Sequence, residues 1–513
     1  MLVPLGIGDF LDRAALVYGD RVAVVDEPGV AGSWGRVTYT ELQHRAWGMA
    51  RALGAMGVGP GERIAIISPN AARFLCSFWG VSAYGRILVP VNYRLNGEEV
   101  RYIIGHSGAT VVLVDPEYDE AMRSIGGQRR IVLDGVDDAG LFAPADAPPD
   151  GGPWVVDENE TASINYTSGT TARPKGVQLT HRNCWINAST FGWHMQISDR
   201  DVYLHTLPMF HCNGWGMPYA VTGMGGRHVV IRKIDGEQIL QRIEAEGVTL
   251  MCGAPAVAAA VLDAATVRRA DGRDVPGGVR LVLAGAPPPS KTIERIETEL
   301  GWEFNQIYGL TETSPLLTIN RSRAEWDDLD AADRSRLLAR AGTPAIGATI
   351  RVDEEGELCA RSNVVFAGYW DQPDETATAM PDGSFHTGDG GYLDGAYVVI
   401  SDRKKDVIIT GGENVSSIEV EDAIFQHPAV AEVAVIGVPD DKWGEMVKAL
   451  VVLRAGQNAS EEELITFAKG RLAGYKCPKS IEFRPELART ATGKLQKFKL
   501  REPFWAGQDR LVN

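Results

Sequence analysis

The sequence predicts an α/β protein: a large N-terminal α/β domain with parallel sheets and a small β subdomain, followed by a small mobile α+β C-terminal lid. Three observations predict it. Strand-like and helix-like segments alternate from Val22 to Tyr308, which implies parallel sheets covered on both faces. The 513 residues exceed what one core holds, about 250–300. The texture then changes twice, to short strands with glycine turns over 346–401 and to a compact α+β pattern after Lys405. The domains are accordingly 1–404 and 405–513.

The elements follow in order. Val22 to Asp26 reads as a strand, and Thr40 opens a helix through a Thr-x-x-Gln capping box completed by Gln43. Leu42, Ala46, Met49, Leu53 and Met56 give that helix one buried face, and Gly57 ends it. Strands at 63–67, 87–91 and 110–114 alternate with helices at 71–84 and 97–105. The proline- and glycine-rich stretch 135–154 reads as a surface connection. A strand ending at Tyr166, a helix at 180–195 and strands at 202–207 and 228–232 come next. Helices at 237–246, 256–264 and from Ser290 then separate strands at 248–252, 279–284 and 304–308. The C-terminal part reads as helices at 417–426 and 461–472 with strands at 431–437, 447–453 and 480–484.

Composition narrows the function classes. Hydrophobic content of 44% and charged content of 23% are ordinary for a soluble globular protein. A net charge of −16 argues against a general binder of nucleic acid or anionic membrane. The six cysteines are widely spaced without a Cys-x-x-Cys pair, which fits a reducing compartment and gives neither a disulfide framework nor a zinc site by spacing. No leader pattern, no apolar run near the ~20 residues of a membrane span and no peroxisomal C-terminal tripeptide is read, so the expected location is cytoplasmic.

The chemistry centres on Ile164–Val177. After Tyr166, five of the six residues Thr167, Ser168, Gly169, Thr170, Thr171 and Ala172 are hydroxyl-bearing or glycine, and Lys175 follows before the next helix. Such a loop turns N–H groups and hydroxyls toward one point, which suits a polyphosphate, and Lys175 adds positive charge. It is not a Walker A loop, because Pro174 and Gly176 stand where Gly and Ser/Thr belong. A polar strand-to-helix connection is the plain alternative. The segments Gly285-Ala286-Pro287 and Tyr308-Gly309-Leu310-Thr311-Glu312 also follow strands, where ligands of such sheets gather.

The loop ending in Pro-Lys-Gly resembles the phosphate loop of the adenylate-forming superfamily of acyl-CoA synthetases, luciferases and peptide-synthetase adenylation domains. Tyr308–Glu312, His386-Thr387-Gly388-Asp389, Asp402–Asp406 and Thr492-Gly493-Lys494 resemble its later motifs, in its order and across most of the chain. The resemblance implies ATP, Mg²⁺ and coenzyme A. Tyr308 and Gly309 would then take adenine, Thr311 the α-phosphate, Glu312 the Mg²⁺, and Asp389 the ribose hydroxyls. It gives Arg403 to ribose or phosphates, Lys405 to the hinge, Gly411 and Gly412 to the pantetheine path, and Lys494 to catalysis as the cation bridging carboxylate and α-phosphate. Gly390 and Ala488 depart from the usual residues without touching these roles. The plain alternatives are a solvated acid at Glu312, an Asx turn at Asp389 and a charged surface turn at 402–406.

Phe210-His211-Cys212-Asn213-Gly214-Trp215 resembles the segment bordering the acyl group. His211 replaces the Asp that anchors an α-amine in amino-acid-activating relatives, so His211 is read as an acyl gate. Asn213, Gly214 and Trp215 are read as pocket residues, with core packing the alternative for Trp215. The wording is similar to medium-chain, short-chain and benzoate-type CoA ligases. The expected function is an AMP-forming carboxylate–CoA ligase taking a short- or medium-chain fatty acid or an aromatic acid. The alternative is a stand-alone adenylating enzyme that loads a carrier protein; luciferase-like monooxygenation and a catalytically silent nucleotide binder complete the range. Expected partners are the small acid, ATP and CoA, with a homodimer compatible with the chain.

Overall fold

The computed structural model describes residues 3–123, 128–149, 157–167, 173–285, 288–403, 406–410, 413–440, 443–489 and 495–505. Two large sheets form the N-terminal body. The first runs, edge to edge, Gly368–Tyr369, Lys175–Thr180, Thr161–Thr167, Ile87–Val91, Arg63–Ile67, Val111–Val114 and Arg129–Val132. The second runs Thr343–Pro344, Thr318–Arg321, Glu303–Tyr308, Arg280–Leu283, Leu250–Gly253, Val202–His205, Arg227–Val230, Val22–Val25 and Arg36–Thr38. Their centres are parallel; both margins of the second sheet and the Gly368–Tyr369 margin of the first are antiparallel, while the Arg129–Val132 edge is parallel.

Both faces of the second sheet are buried, which explains its nearly unbroken apolar strands. Tyr203, Val230, Val282 and Ile307 enter the core that also holds Ile64, Val89 and Ile164 of the first sheet. Their neighbours Leu204, Val229, Leu281 and Phe304 point the other way, into a layer with Ile239, Val261 and Ile293. Each such fully buried aliphatic side chain contributes about 1.5–3 kcal/mol of transfer free energy.

A four-stranded antiparallel sheet of Ala348–Val352, Glu357–Ser362, Phe385–Asp394 and Tyr397–Arg403 forms the expected β subdomain. The C-terminal unit packs Ser417–Phe425 and Glu461–Lys469 on a sheet built around Val430–Asp440 and Gly444–Leu453, with its own apolar core. No helix among the described residues is long and apolar enough to cross a membrane.

Three local expectations are corrected. The helix Tyr39–Ala55 is capped by Thr38, not Thr40: the Glu41 N–H donates to Thr38 Oγ1 at 3.2 Å and the Thr38 N–H to Glu41 Oε2 at 2.7 Å. Gln43 instead donates to Asp12 at 2.8 Å. The connection after 135 is docked rather than superficial, because Asp138 is buried on Arg73 and Leu141 and Phe142 enter the core. Third, Lys175 does not lead straight into a helix. It begins a strand, Lys175–Thr180, that folds back antiparallel on Thr161–Thr167.

Candidate active site

The phosphate-loop candidate begins and ends on two antiparallel strands, Thr161–Thr167 and Lys175–Thr180. Thr167 and Lys175 are cross-strand partners, and Thr180 caps the helix His181–His194 that follows. Ser168, Gly169, Thr170 and Thr171 lie outside the described residues. Gly176 is required by crowding, since a Cβ there would lie 2.9 Å from Ile164 Cγ2 and 3.2 Å from Trp370 Cβ. The short strand Gly368–Tyr369 runs along this hairpin, and the Trp370 N–H donates to the Gly176 carbonyl at 2.7 Å. That pairing sets Tyr369 beside Lys175, whose ammonium lies 4.9 Å from the ring centroid and pairs with Glu375.

The strand Glu303–Tyr308 delivers the second group. Its end passes through Gly309, where a Cβ would fall 1.5 Å from the Pro315 carbonyl oxygen, into a turn at Thr311–Thr313. The Phe366 N–H donates to the Glu312 carbonyl at 2.8 Å. The Tyr369 hydroxyl donates to Glu312 Oε1 at 2.9 Å, and the Glu312 carboxylate is 9% exposed. Burial, then the charge of Glu312, push the Tyr369 phenol well above its ordinary pKa, so it stays protonated as a donor. Lys175 and Glu312 are thus joined through Tyr369, a residue that sequence reasoning missed. The only signal was a Gly-Tyr-Trp cluster 57 residues beyond Glu312.

The β subdomain supplies the third group. Gly388, at φ +73°, sits at a bulge in the strand Phe385–Asp394 and donates its N–H to Glu357 Oε1 at 2.7 Å. Asp389, next to it, receives the Tyr308 hydroxyl on Oδ2 at 2.9 Å and takes Arg403 as its cross-strand partner. Gly285 sits exposed just past the strand Arg280–Leu283, at φ +90°. Ala286, Pro287, Lys405, Gly411, Gly412 and Lys494 lie outside the described residues. Arg489 and Leu495, which flank the Lys494 segment, are bridge partners.

In the segment expected to border the acyl group, half-buried His211 leads into a left-handed turn. Cys212, Asn213, Gly214, Trp215 and Gly216 have φ of 46°, 50°, 58°, 60° and 78°. For non-glycine residues this costs roughly 1–2 kcal/mol each, so other contacts must hold it. Asn213 donates to Ser163 Oγ at 2.7 Å and accepts from Asn165 at 3.2 Å, while Asn187 donates to the Trp215 carbonyl at 3.1 Å. Asn213 is therefore a brace for the turn, buried at 2% exposure, and Trp215 is buried as well. The Cys212 thiol lies 3.9 Å from the Thr311 carbonyl, which seats this turn against the Thr311–Glu312 segment. Ser163, Asn165 and Asn187 carried no sequence signal for this role.

Comparisons with known proteins bear on the chain as a whole. Residues 11–370 match the AMP-binding enzymes and residues 419–494 the AMP-binding enzyme C-terminal domain. A 4-hydroxybutyrate–CoA ligase of Metallosphaera sedula is 37% identical, over 96% of this chain and 93% of its own. A 2-methylpropanoate–CoA ligase of Humulus lupulus is 36% identical, over 98% and 95%. A probable peroxisomal acyl-activating enzyme of Arabidopsis thaliana is also 36% identical, over 98% and 95%. Among solved structures, an anthranilate–CoA ligase in complex with anthranoyl-AMP superimposes with a TM-score of 0.87 at 26% identity, over 98% of each chain. ATP-bound MatB from Rhodopseudomonas palustris gives 0.83 at 28% identity, over 97% of this chain and 99% of its own.

These relatives correct the cytoplasmic expectation, since several plant members are peroxisomal by name. The physical reason is plain. Six buried, unbridged cysteines and the absence of a spanning helix among the described residues suit any reducing aqueous compartment, so they do not single out the cytosol. With one family match covering residues 11–370, a second covering 419–494, and full-length relatives above one-third identity, the chain belongs to the AMP-binding enzymes.

Proposed function

We propose that this ATP-dependent carboxylate–CoA ligase, which works through an acyl-AMP, acts on a short-chain carboxylic acid. The observation that carries the reading is the junction of Lys175, Tyr369 and Glu312 with the Tyr308–Asp389 pair, beside the acyl-side turn at Thr311. The named substrates of relatives between 34% and 37% identity are small acids: 4-hydroxybutyrate, 2-methylpropanoate and acetate. Buried Phe210, Cys212 and Trp215 fit a compact acyl group better than a long chain.

In the first step the carboxylate attacks the α-phosphorus and the bond to pyrophosphate breaks. Lys175 faces the phosphates, Asp389 and Tyr308 hold the nucleoside, and Lys494 offsets the extra charge on the α-phosphate. Glu312 suits Mg²⁺: its carboxylate is a hard oxygen donor held in place by Tyr369, beside the segment meant for the phosphates. When bound, Mg²⁺ neutralises phosphate charge. In the second step the CoA thiol attacks the acyl carbon, AMP leaves, and the thiol proton passes to solvent. Rotation of the unit beginning at Lys405 would withdraw Lys494 and bring Gly411 and Gly412 to the pantetheine path.

The test is pyrophosphate release across acids from acetate to palmitate plus aromatic acids, with and without CoA, with the thioester detected by mass. Turnover that needs CoA and peaks at short acids is expected. Adenylate accumulating despite CoA would favour carrier-protein loading instead. Lys494→Ala should abolish acyl-AMP formation while sparing thioester formation from supplied acyl-AMP, and Gly412→Leu should do the reverse. Equal loss of both half-reactions in either variant would overturn this division.

A further inference from the structure

A second cluster of metal-binding chemistry sits on the β subdomain, where the ligase reaction gives it no role. Cys359 and His386 are cross-strand partners on Glu357–Ser362 and Phe385–Asp394. Cys359 Sγ lies 3.6 Å from His386 Nδ1. Two carboxylates approach the same nitrogen, Glu357 Oε2 at 3.5 Å and Asp353 Oδ2 at 3.9 Å. One ligand atom each from Asp353, Cys359 and His386 falls within 4.8 Å of the others.

The spacings around His386 Nδ1 approach those of a tetrahedral centre. With metal–sulfur bonds near 2.3 Å and metal–nitrogen or metal–oxygen bonds near 2.0–2.1 Å, neighbouring ligand atoms stand about 3.3–3.6 Å apart. The contacts to His386 Nδ1 are within about half an ångström of these values, and the Asp353 and Cys359 ligand atoms, within 4.8 Å of each other, would draw closer around a cation. The other face of the imidazole gives a second, independent observation. His386 Nε2 is buried without a hydrogen bond, and Asp382 Oδ1 lies 3.4 Å away. An outer carboxylate on the far ring nitrogen is the usual device that orients a metal-bound histidine. Asp382 is itself fixed, accepting the Ser384 N–H at 2.9 Å and pairing with Arg351.

We propose that Asp353, Glu357, Cys359 and His386 form a binding site for a thiophilic divalent cation of the zinc class, linked to the nucleotide pocket through Glu357. A thiol, an imidazole and two carboxylates match zinc and do not match Mg²⁺, which prefers an all-oxygen octahedron. Binding releases the Cys359 proton to solvent as the thiolate takes the metal. The link is short. Glu357 Oε1 accepts the Gly388 N–H at 2.7 Å, and Thr387 Oγ1 donates to the Leu358 carbonyl at 2.8 Å, immediately before Asp389. Drawing Glu357 onto a cation therefore acts on the strand bulge that carries the proposed ribose-binding carboxylate.

The test uses the full-length enzyme loaded with Zn²⁺ or Co²⁺, desalted, and assayed for metal content and absorption. One equivalent per chain is expected, with a thiolate-to-cobalt charge-transfer band that Cys359→Ser abolishes. Asp382→Asn keeps every ligand and should keep the band while weakening affinity roughly 10–100-fold. Zinc loading should shift the apparent KM for ATP several-fold in the unmodified enzyme and leave it unchanged in Cys359→Ser. Absence of the band from the loaded enzyme, or full metal content in Cys359→Ser, overturns the site. An affinity unmoved by Asp382→Asn overturns it too, and this variant serves if Cys359→Ser fails to fold. A KM for ATP that ignores zinc overturns the link through Glu357.

Discussion

The Tyr308 hydroxyl donates to Asp389 Oδ2 at 2.9 Å, and the two residues are 8% and 7% exposed. A strand end in the large sheet and a bulged strand of the β subdomain are thereby locked together. The residues read separately as adenine and ribose contacts form one unit. A hydrogen bond to a charged group is worth about 1.5–3 kcal/mol, and 1.4 kcal/mol is tenfold in affinity. Tyr308→Phe keeps the ring and removes the donor. It should raise the KM for ATP about tenfold or more while kcat changes by less than about threefold. ATP–pyrophosphate exchange measures both, and an unchanged KM would show that Asp389 is held by other contacts.

Tyr369 makes the corresponding link between Lys175 and Glu312. Its hydroxyl donates to Glu312 Oε1 at 2.9 Å while its ring faces the Lys175 ammonium at 4.9 Å. Tyr369→Phe should retain the ring–cation contact and loosen the carboxylate. The Mg²⁺ concentration for half-maximal adenylation is expected to rise roughly three- to tenfold, as for loss of one hydrogen bond of about 1 kcal/mol. Tyr369→Leu should add a loss in phosphate binding as the ring goes. Identical Mg²⁺ titrations for the Phe variant and the parent would dissociate Glu312 from the metal.

What could be read from the sequence follows from physics that is local in the chain. The strands around Val202–His205, Leu250–Gly253 and Arg280–Leu283 announce themselves because both their faces are buried. The strand Lys175–Thr180 does not, because half of its side chains are polar and its pairing with Thr161–Thr167 closes only through a loop. Thr38 and Thr40 both head plausible capping boxes. Tyr39 decides between them, since the first turn must bury its ring at 0% exposure. Tyr369 joins Glu312 only through strand pairing across the fold, and the asparagine brace joins three separate segments. Neither leaves a periodic trace.

The left-handed turn offers a test of that brace. Asn213 bonds both Ser163 and Asn165 from a fully packed position and adopts φ 50°, a conformation asparagine tolerates better than alanine. Asn213→Ala removes both bonds, leaves Ser163 and Asn165 with fewer partners, and strains the turn. A loss of about 2–4 kcal/mol in urea unfolding is expected. On the proposal that this turn borders the acyl group, the KM for the acid should rise more than that for ATP. A stability change below about 1 kcal/mol would mean that Asn187 and the flanking glycines hold the turn unaided.

Three buried histidines set the acid limit of the fold. Burial holds His181 down to about 4 and His228 to about 3, and it lowers His205 well below its ordinary value, with His228 adding to the effect. His205 Nε2 lies 3.0 Å from His228 Nδ1, and His228 Nε2 lies 2.9 Å from Thr222 Oγ1, so the neutral pair forms a chain that a second proton would break. In the unfolded chain each imidazole titrates near 6.5, so the unfolded state binds more protons below that pH. Stability is therefore complete above about pH 6.5. It falls as pH drops toward 4 and 3, by about 1.4 kcal/mol per unit for each histidine still neutral in the fold. Urea midpoints between pH 7.5 and 5 should show this slope above the range where most carboxylates titrate. His228→Gln keeps polar contacts to Thr222 and His205 while removing one titrating group, so it should cut the slope by about a third. A variant as acid-sensitive as the parent would place the proton uptake elsewhere.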